Sequence, residues 1–428
     1  MRQKIFVHTS DLLRSKSFYP CVIVAAALMI TICNYGVRLS YSVFFKPMMQ
    51  DFGWTRAMTA GSYSLCTVIL GVFSIVFGWL SDRYGTRITL TICGVFSGMG
   101  IILLSTVNSL WQLYLFFGVI AGIGAAAYVP LITGVSGWFD EKKGLALGIV
   151  VAGMGLGPTI LSPIANHLIS LYGWRQTFLI LGIITGIIIV LAAQIIRSNP
   201  HRLGLVSPGD ESITGIEAIE TANRTDTVSI SRKRDFTFKL AVRERRFWLI
   251  VIPYSLWCVA IIAVPVHAVP LMTDKGISSG SAANLLSLLM LSSMTGRVVM
   301  GALSDRIGRV KSIYICLGTN MLALLWLMFA TNIWMFSLFA VAYGFTYGGG
   351  VPQWAALVGD IFGLTAMGAI FGTVVFFVTL FGTIGPILFG YIFDVTGSYN
   401  IAFLIAAILI AVGLFILSFI KKQKRVPW

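Results

Sequence analysis

Charge is scarce in this chain. Only 11% of its 428 residues are Asp, Glu, Lys or Arg, against 57% hydrophobic, and just 16 are acidic. That leaves too little polar surface to wet a soluble domain of this size. The acids all fall in polar loops or at the ends of apolar runs, so no carboxylate pair is placed for acid–base chemistry. Histidines number four, and the six cysteines (Cys21, Cys33, Cys66, Cys93, Cys258, Cys316) lie inside apolar runs at no metal-ligand spacing. The cysteines read as small apolar packers, and neither a metal nor another cofactor is expected. A nucleophile triad is missing too, and Gly348-Gly349-Gly350 lies in an apolar run rather than in a phosphate-binding turn, which excludes a soluble enzyme. A cleavable leader is not evident. Residues 1–18 are polar and basic, and the first apolar run is too long for a leader core and lacks a clear cleavage site, so it reads as a retained first helix.

What is present is apolar length. Runs long enough to span a bilayer fall at roughly 19–46, 57–80, 88–107, 111–137, 144–169, 175–197, 247–272, 282–303, 311–330, 333–358, 365–392 and 398–420. The fold class is therefore an all-α membrane protein of twelve transmembrane helices. A polar stretch, 198–246, divides six from six and reads as a linker with one amphipathic helix near 235–245. The expected domains are a tail at 1–18, a six-helix bundle at 19–197, the linker, a second bundle at 247–420 and a tail at 421–428. With the N-terminus inside, 25 of the 31 Lys and Arg residues fall on cytoplasmic segments. The excess positive charge is thus an orientation signal. It points to a lipid bilayer as partner and away from nucleic acid, with both termini cytoplasmic in a plasma membrane, expected to be a bacterial inner membrane.

The second half repeats the first. Gly78-Trp-Leu-Ser-Asp-Arg-Tyr-Gly-Thr-Arg87 returns as Gly301-Ala-Leu-Ser-Asp-Arg-Ile-Gly-Arg309, with Asp82 and Asp305 223 residues apart. Gly173 and Gly397 are 224 apart, and Pro130 and Pro352 are 222 apart. Two six-helix halves related by an axis along the membrane normal is a transporter architecture. Arg297 breaks the repeat, because its first-half counterpart is Ser74. It stands about 12 Å up a helix from Asp305, nearly halfway into the hydrocarbon. A charge there costs at least about 2.5 kcal/mol and reads as functional. Its planar fork suits a carboxylate, and no intramembrane acid is available to neutralise it.

These residues resemble the major facilitator superfamily, whose signature loop looks like the G-x-L-S-D-R-x-G-x-R hairpin and its echo. A narrower set of stretches (41–57, 138–149, 155–158, 172–175, 266–278 and 296–309) is similar to the monocarboxylate porter and oxalate/formate antiporter group. In that group an arginine of the eighth helix anchors the substrate carboxylate, and Arg297 stands at that position. Two departures stand out. The aspartate that animal porters carry one turn earlier is Ser293 here, and residues 365–392 hold no counterpart of the exchangers' eleventh-helix lysine.

Other residues offer supporting chemistry. Arg38 is the second intramembrane cation, with Asn34 one turn below it on the same face. It can draw anions into an outer vestibule, make a second carboxylate contact, or snorkel to the interface. Tyr128, Tyr347 and Phe376 fall about 18–20 Å along their helices, near the midplane. The tyrosines can donate to a carboxylate and Phe376 can pack an apolar tail, or all three can serve helix packing. His267, near the outer end of the seventh helix, suits proton capture or is an exposed interfacial histidine; His167 is a weaker alternative. Asp82, Arg83, Arg87, Asp305, Arg306 and Arg309 are expected to close an inner gate. Seven glycines (148, 153, 155, 157, 382, 385, 390) are expected to let helices approach closely, and Pro158 and Pro386 to kink them.

The resulting expectation is a secondary active transporter for a small organic monocarboxylate of the lactate, pyruvate or formate kind, moved with a proton. The alternative is an organic anion exchanger of the oxalate/formate type. A transporter-like receptor is a third reading, and the linker looks too unstructured for a signalling domain.

Overall fold

The computed structural model describes residues 18–136, 138, 143–196, 238–362 and 367–420. The expected tails, most of the linker and the Asp82 side chain lie outside the described residues. Among the described residues every regular element is helical. An apolar run in lipid has no water for its backbone, so each closes its own hydrogen-bond ladder. Ten helices are long and apolar enough to cross a membrane. One of them, Lys143–Ile195, leaves helical geometry at Gly173 (φ 78°, ψ 166°) and forms the fifth and sixth spans. Ile333–Phe362, about 45 Å long, is the tenth span. The chain is thus an all-α membrane protein of twelve transmembrane helices in two six-helix halves.

The first span joins Phe18–Leu39 to Tyr41–Phe52, and the second and third are Arg56–Tyr84 and Thr86–Leu103. The seventh to ninth are Arg245–Asp274, Ser279–Ile307 and Arg309–Leu327, and the twelfth is Asn400–Leu417. Two spans differ from the continuous runs expected. The fourth is pieced from Leu110–Leu113, a π-helical Tyr114–Ala121, Gly122–Ala125 and Tyr128–Ser136. Its break falls one turn before Pro130, which has no N–H for the Ala126 carbonyl. The eleventh breaks at Thr383, between Met367–Gly382 and Ile384–Thr396, just ahead of Pro386. Of the linker's expected helix, the described part is Phe238–Arg243.

The duplication is written in the backbone. Among the described residues six glycines hold positive φ, and they form three pairs: Gly53 with Gly276 and Gly85 with Gly308, each 223 residues apart, and Gly173 with Gly397, 224 apart. Both hairpin glycines, Gly85 and Gly308, adopt nearly the same angles (φ 94° and 95°), which an L side chain rarely takes.

Small residues seat the helices that carry the site. A Cβ on Gly36 would stand 3.0 Å from the Gly157 backbone, joining the first and fifth spans. Gly296, Gly344 and Gly348 face the Phe345, Leu289 and Ser293 carbonyls and lock the eighth span to the tenth. Six of the seven expected glycines make such close approaches. Gly148 does not, because nothing lies within 4 Å of its would-be Cβ. The halves meet along the fifth and eighth spans, where Thr159 Oγ1 donates to the Ser287 carbonyl at 3.2 Å. They also meet where Ser64 Oγ donates to the Thr383 carbonyl (2.6 Å) and the Val269 amide donates to Ser42 Oγ (3.1 Å).

Candidate functional site

Arg297 projects from the eighth span toward the fifth, where Nη1 donates to the Val151 carbonyl at 3.3 Å. It is half-buried, and among the described residues it makes no ion pair. Tyr35 of the first span lies within electrostatic reach of Arg297, Arg38, Tyr128 and Tyr347 together. Tyr254 of the seventh span is coupled in the same way to Arg297 and Tyr347. Tyr128 is 37% exposed, so its ring is left open beside the arginine rather than packed away. Two guanidiniums and several phenols from both halves thus share one central region.

Arg38 does not reach for the interface. Its guanidinium lies 5.2 Å from the Tyr35 ring and 5.8 Å from the Tyr63 ring, and its buried Nε has no hydrogen-bond partner. It lines a small cavity with Asn34, Cys66, Ser97 and Phe117. Asn34 is engaged there already: its amide donates to the Gly124 carbonyl at 2.9 Å, a group released where the fourth span breaks. Phe376 is 52% exposed and sets its ring edge-on to Phe377; among the described residues no contact joins it to either arginine. Sequence reasoning passed over Tyr35, Tyr63 and Tyr254. Tyr35 was findable, since it sits one turn before Arg38 and must share its face.

The face where Phe18 enters and Leu417 ends, the terminal face, carries the hairpin charges. Their partners are local. Arg309 Nη2 pairs with Asp305 at 2.5 Å, and its Nη1 bonds Ser304 Oγ. Arg87 Nε donates to Gln194 at 2.7 Å. Arg83 lies over its own helix's Trp79 and Tyr84, and Arg306 is exposed. Among the described residues none of these bonds crosses between halves.

The opposite, far face is where charges do cross. Arg56, the first residue of the second span, is 5% exposed and pairs with Asp274 at the end of the seventh span (2.5 Å). Lys46 holds the other Asp274 oxygen at 2.7 Å. The amides of Arg56 and Ala57 donate to the Asp394 carboxylate at 2.9 and 2.8 Å, so an eleventh-span acid caps the second span's positive end. The Arg56 guanidinium also lies 3.5 Å over the Phe393 ring and donates to the Tyr399 hydroxyl at 2.5 Å. Burial pushes the Tyr399 phenol up, with Arg56 opposing, so Tyr399 stays a hydroxyl. His267, expected near this end, is 2% exposed and bonded on both nitrogens: Nδ1 to Tyr399 Oη at 3.0 Å and Nε2 to the Pro386 carbonyl at 2.8 Å. It is not an exposed interfacial histidine. Arg56 is not among the residues that the sequence singled out. The signal was an acid, Asp274, at a helix C-terminus, where the helix dipole disfavours an anion unless cations hold it.

Comparison with known proteins fits this geometry. The family model described as Major Facilitator Superfamily matches residues 27–269 and again 260–428. Monocarboxylate transporter 12 of Xenopus laevis is 26% identical over 90% of this chain and 85% of its own length. Monocarboxylate transporter 12-B of Danio rerio is 28% identical over 90% and 83%. The uncharacterized MFS-type transporter YhjX of Escherichia coli K12 is 24% identical over 81% and 82%. Among solved structures, a bacterial homologue of the human lysosomal transporter Spinster superposes with a TM-score of 0.72 at 15% identity, covering 94% of this chain and 97% of that one. The nucleoside transporter NupG gives 0.71 at 12% identity, covering 93% and 100%. With the family model spanning both halves and the twelve-helix fold matched throughout, the chain belongs to the Major Facilitator Superfamily and is an integral membrane transporter, not an enzyme.

Proposed function

We propose that the protein moves a small monocarboxylate of the lactate, pyruvate or formate kind by alternating access, with Arg297 as the carboxylate anchor. One observation carries this reading: Arg297 is half-buried between the halves and, among the described residues, makes no ion pair and a single hydrogen bond, to the Val151 carbonyl. Its remaining N–H groups are free to take a planar anion. Tyr128 and Tyr347 supply hydroxyls beside it, Phe376 is available to an apolar tail, and Arg38, which lines a cavity with Asn34, adds a positive field from the first span. That four relatives of this chain are called monocarboxylate transporter 12 supports the substrate class.

Moving an anion inward against an inside-negative potential costs about 2.3 kcal/mol per 100 mV. A proton travelling with the substrate removes that cost. The proton rides on the substrate carboxylate beside Arg297, since the described residues place no acid there and His267 is occupied at the far face. The terminal face, with its arginines, is the cytoplasmic side of a plasma membrane, and Arg83, Arg87, Asp305, Arg306 and Arg309, together with Asp82, close the gate there when the halves rock.

Exchange of two anions is the second reading. The observation behind it is the second uncompensated cation, Arg38, with no proton-carrying acid described near either arginine. Counterflow in proteoliposomes separates the two. Uptake driven by an imposed pH gradient without internal substrate supports symport. Uptake that needs internal substrate and ignores the gradient supports exchange.

A further inference from the structure

The far-face charges are asymmetric in a way the duplication exposes. Asp51 and Asp274 are equivalent, 223 residues apart near the ends of the first and seventh spans. Asp51 is used inside its own half, accepting from Trp174 Nε1 at 2.7 Å. Asp274 instead crosses to Arg56 and Lys46 of the other half. The N-caps Thr55 and Ser278 are equivalent too, and both cap their own helices. The residue after the cap is Arg56 in one half and Ser279 in the other. One half therefore supplies the bolt and the other its keeper.

The bolt is wired to a titratable group. Pro386 has no hydrogen to give from its carbonyl, so His267 Nε2 must be the donor in that 2.8 Å bond. In the neutral ring Nδ1 is then the acceptor and takes the Tyr399 hydroxyl proton. The Tyr399 oxygen is left to accept from Arg56. Every group is satisfied in one direction, Arg56 to Tyr399 to His267 to Pro386. A proton on Nδ1 reverses the middle link. The Tyr399 oxygen must then accept from two cations, and its own hydrogen loses its acceptor. An imidazolium also comes to lie one residue from the Arg56 guanidinium. The other charges around this cluster are Asp394, within reach of His267, and Asp274 and Lys46 at the surface end; Phe45 and Phe389 flank the ring and offer no charge.

We propose that His267 is a proton sensor of the far-face latch, acting through Tyr399 on Arg56: the latch closes on neutral His267, and protonation releases it. This gives His267 a regulatory role in place of a carrier's, because both its nitrogens are engaged, one by Tyr399 and the other by the Pro386 carbonyl. The proposal concerns gating and does not depend on which substrate is carried.

The sign is fixed. Once the latch opens, an exposed histidine titrates near its ordinary value of about 6.5. The closed latch disfavours the proton, so it is retained above that pH and weakens as pH falls below it. The test is electron–electron distance measurement between spin labels at Asn108 and Thr331, exposed and equivalent positions on far-face loops of the two halves, in a background with the native cysteines replaced and with no substrate added. For the otherwise native chain the open-to-closed ratio is expected to rise between pH 8 and pH 5, on the order of tenfold. In His267→Gln, whose amide donates to Pro386 and accepts from Tyr399 without titrating, the ratio is expected to stay at its pH 8 value. Tyr399→Phe removes one hydroxyl and little volume, and serves if the glutamine variant does not fold; its pH response is expected to be lost while the Arg56–Asp274 pair persists. A native pH response kept in either folded variant overturns the proposal, as does a native distance distribution that does not move with pH.

Discussion

The anchor role of Arg297 is decided by comparing two replacements, Lys and Gln, at that one position. At an effective dielectric near 20, unit charges about 4 Å apart attract by roughly 4 kcal/mol. Desolvating both partners offsets part of this, leaving about 2–3 kcal/mol, toward the upper end for hydrogen bonds to charged groups. Arg297→Gln removes that contribution, so Kd for a short carboxylate should rise about 30- to 140-fold. Arg297→Lys keeps the charge but loses the fork, and with it about 1.5 kcal/mol or roughly tenfold in Kd. Little structural damage is expected from either change. Arg297 makes one long bond to a carbonyl, and the seam that seats its helix is built by Gly296, Gly344 and Gly348. The assay is calorimetric titration of purified protein with lactate, pyruvate and formate, paired with proteoliposome uptake. An order of effects of wild type, then Lys, then Gln supports a bidentate carboxylate contact. If the Gln variant binds as wild type does, Arg297 is not the anchor and the substrate reading fails with it.

Three further outcomes follow from the same structure. Arg38→Gln removes a buried guanidinium whose Nε has no partner, so stability should rise by about 1 kcal/mol while carboxylate affinity falls; a thermal melt and a titration on the same sample read both. Arg56→Gln leaves Asp274 with Lys46 alone and removes the contacts to Tyr399 and Phe393; because Asp274 is a quarter exposed, about 2 kcal/mol is expected, enough to raise the far-face open population about 30-fold by spin-label distances, and an unchanged distribution would show that Arg56 does not hold the halves. Gly296→Ala sets a methyl against the Phe345 carbonyl, so about 1–3 kcal/mol of overpacking should lower the melting temperature and disturb the seat of Arg297, whereas Gly148→Ala, with nothing within 4 Å, should leave the melt unmoved.

Much of the fold could be read directly. Spanning helices follow from apolar length because lipid admits little else. The repeat followed from Asp82 and Asp305, and the paired left-handed glycines show why such offsets persist: a hairpin that needs positive φ holds its glycine in both halves. Arg297 was legible as well, since an unneutralised charge in an apolar run is costly wherever it points. Pro386 flagged the break in the eleventh span, but Pro130, read only as a mark of the repeat, gave no warning of the break in the fourth, and Pro158, expected to kink its helix, lies inside Lys143–Ile195, which leaves helical geometry at Gly173 instead.

The sequence by itself therefore determined the membrane class, the twelve spans and the two halves, and singled out Arg297 as the proposed carboxylate anchor, because each is a local consequence of hydropathy, backbone chemistry or the cost of a buried charge. Tertiary structure alone decided what Arg56, Asp274, Asp394, Tyr399 and His267 do. These residues lie up to 343 positions apart, and their meeting depends on the angle at which two rigid bundles close, which no period in the sequence encodes. Packing within the first half turned Arg38 inward, toward Tyr35 and Tyr63, and His267, for which an exposed interfacial place was one of two readings, lies at the buried end of a hydrogen-bond relay.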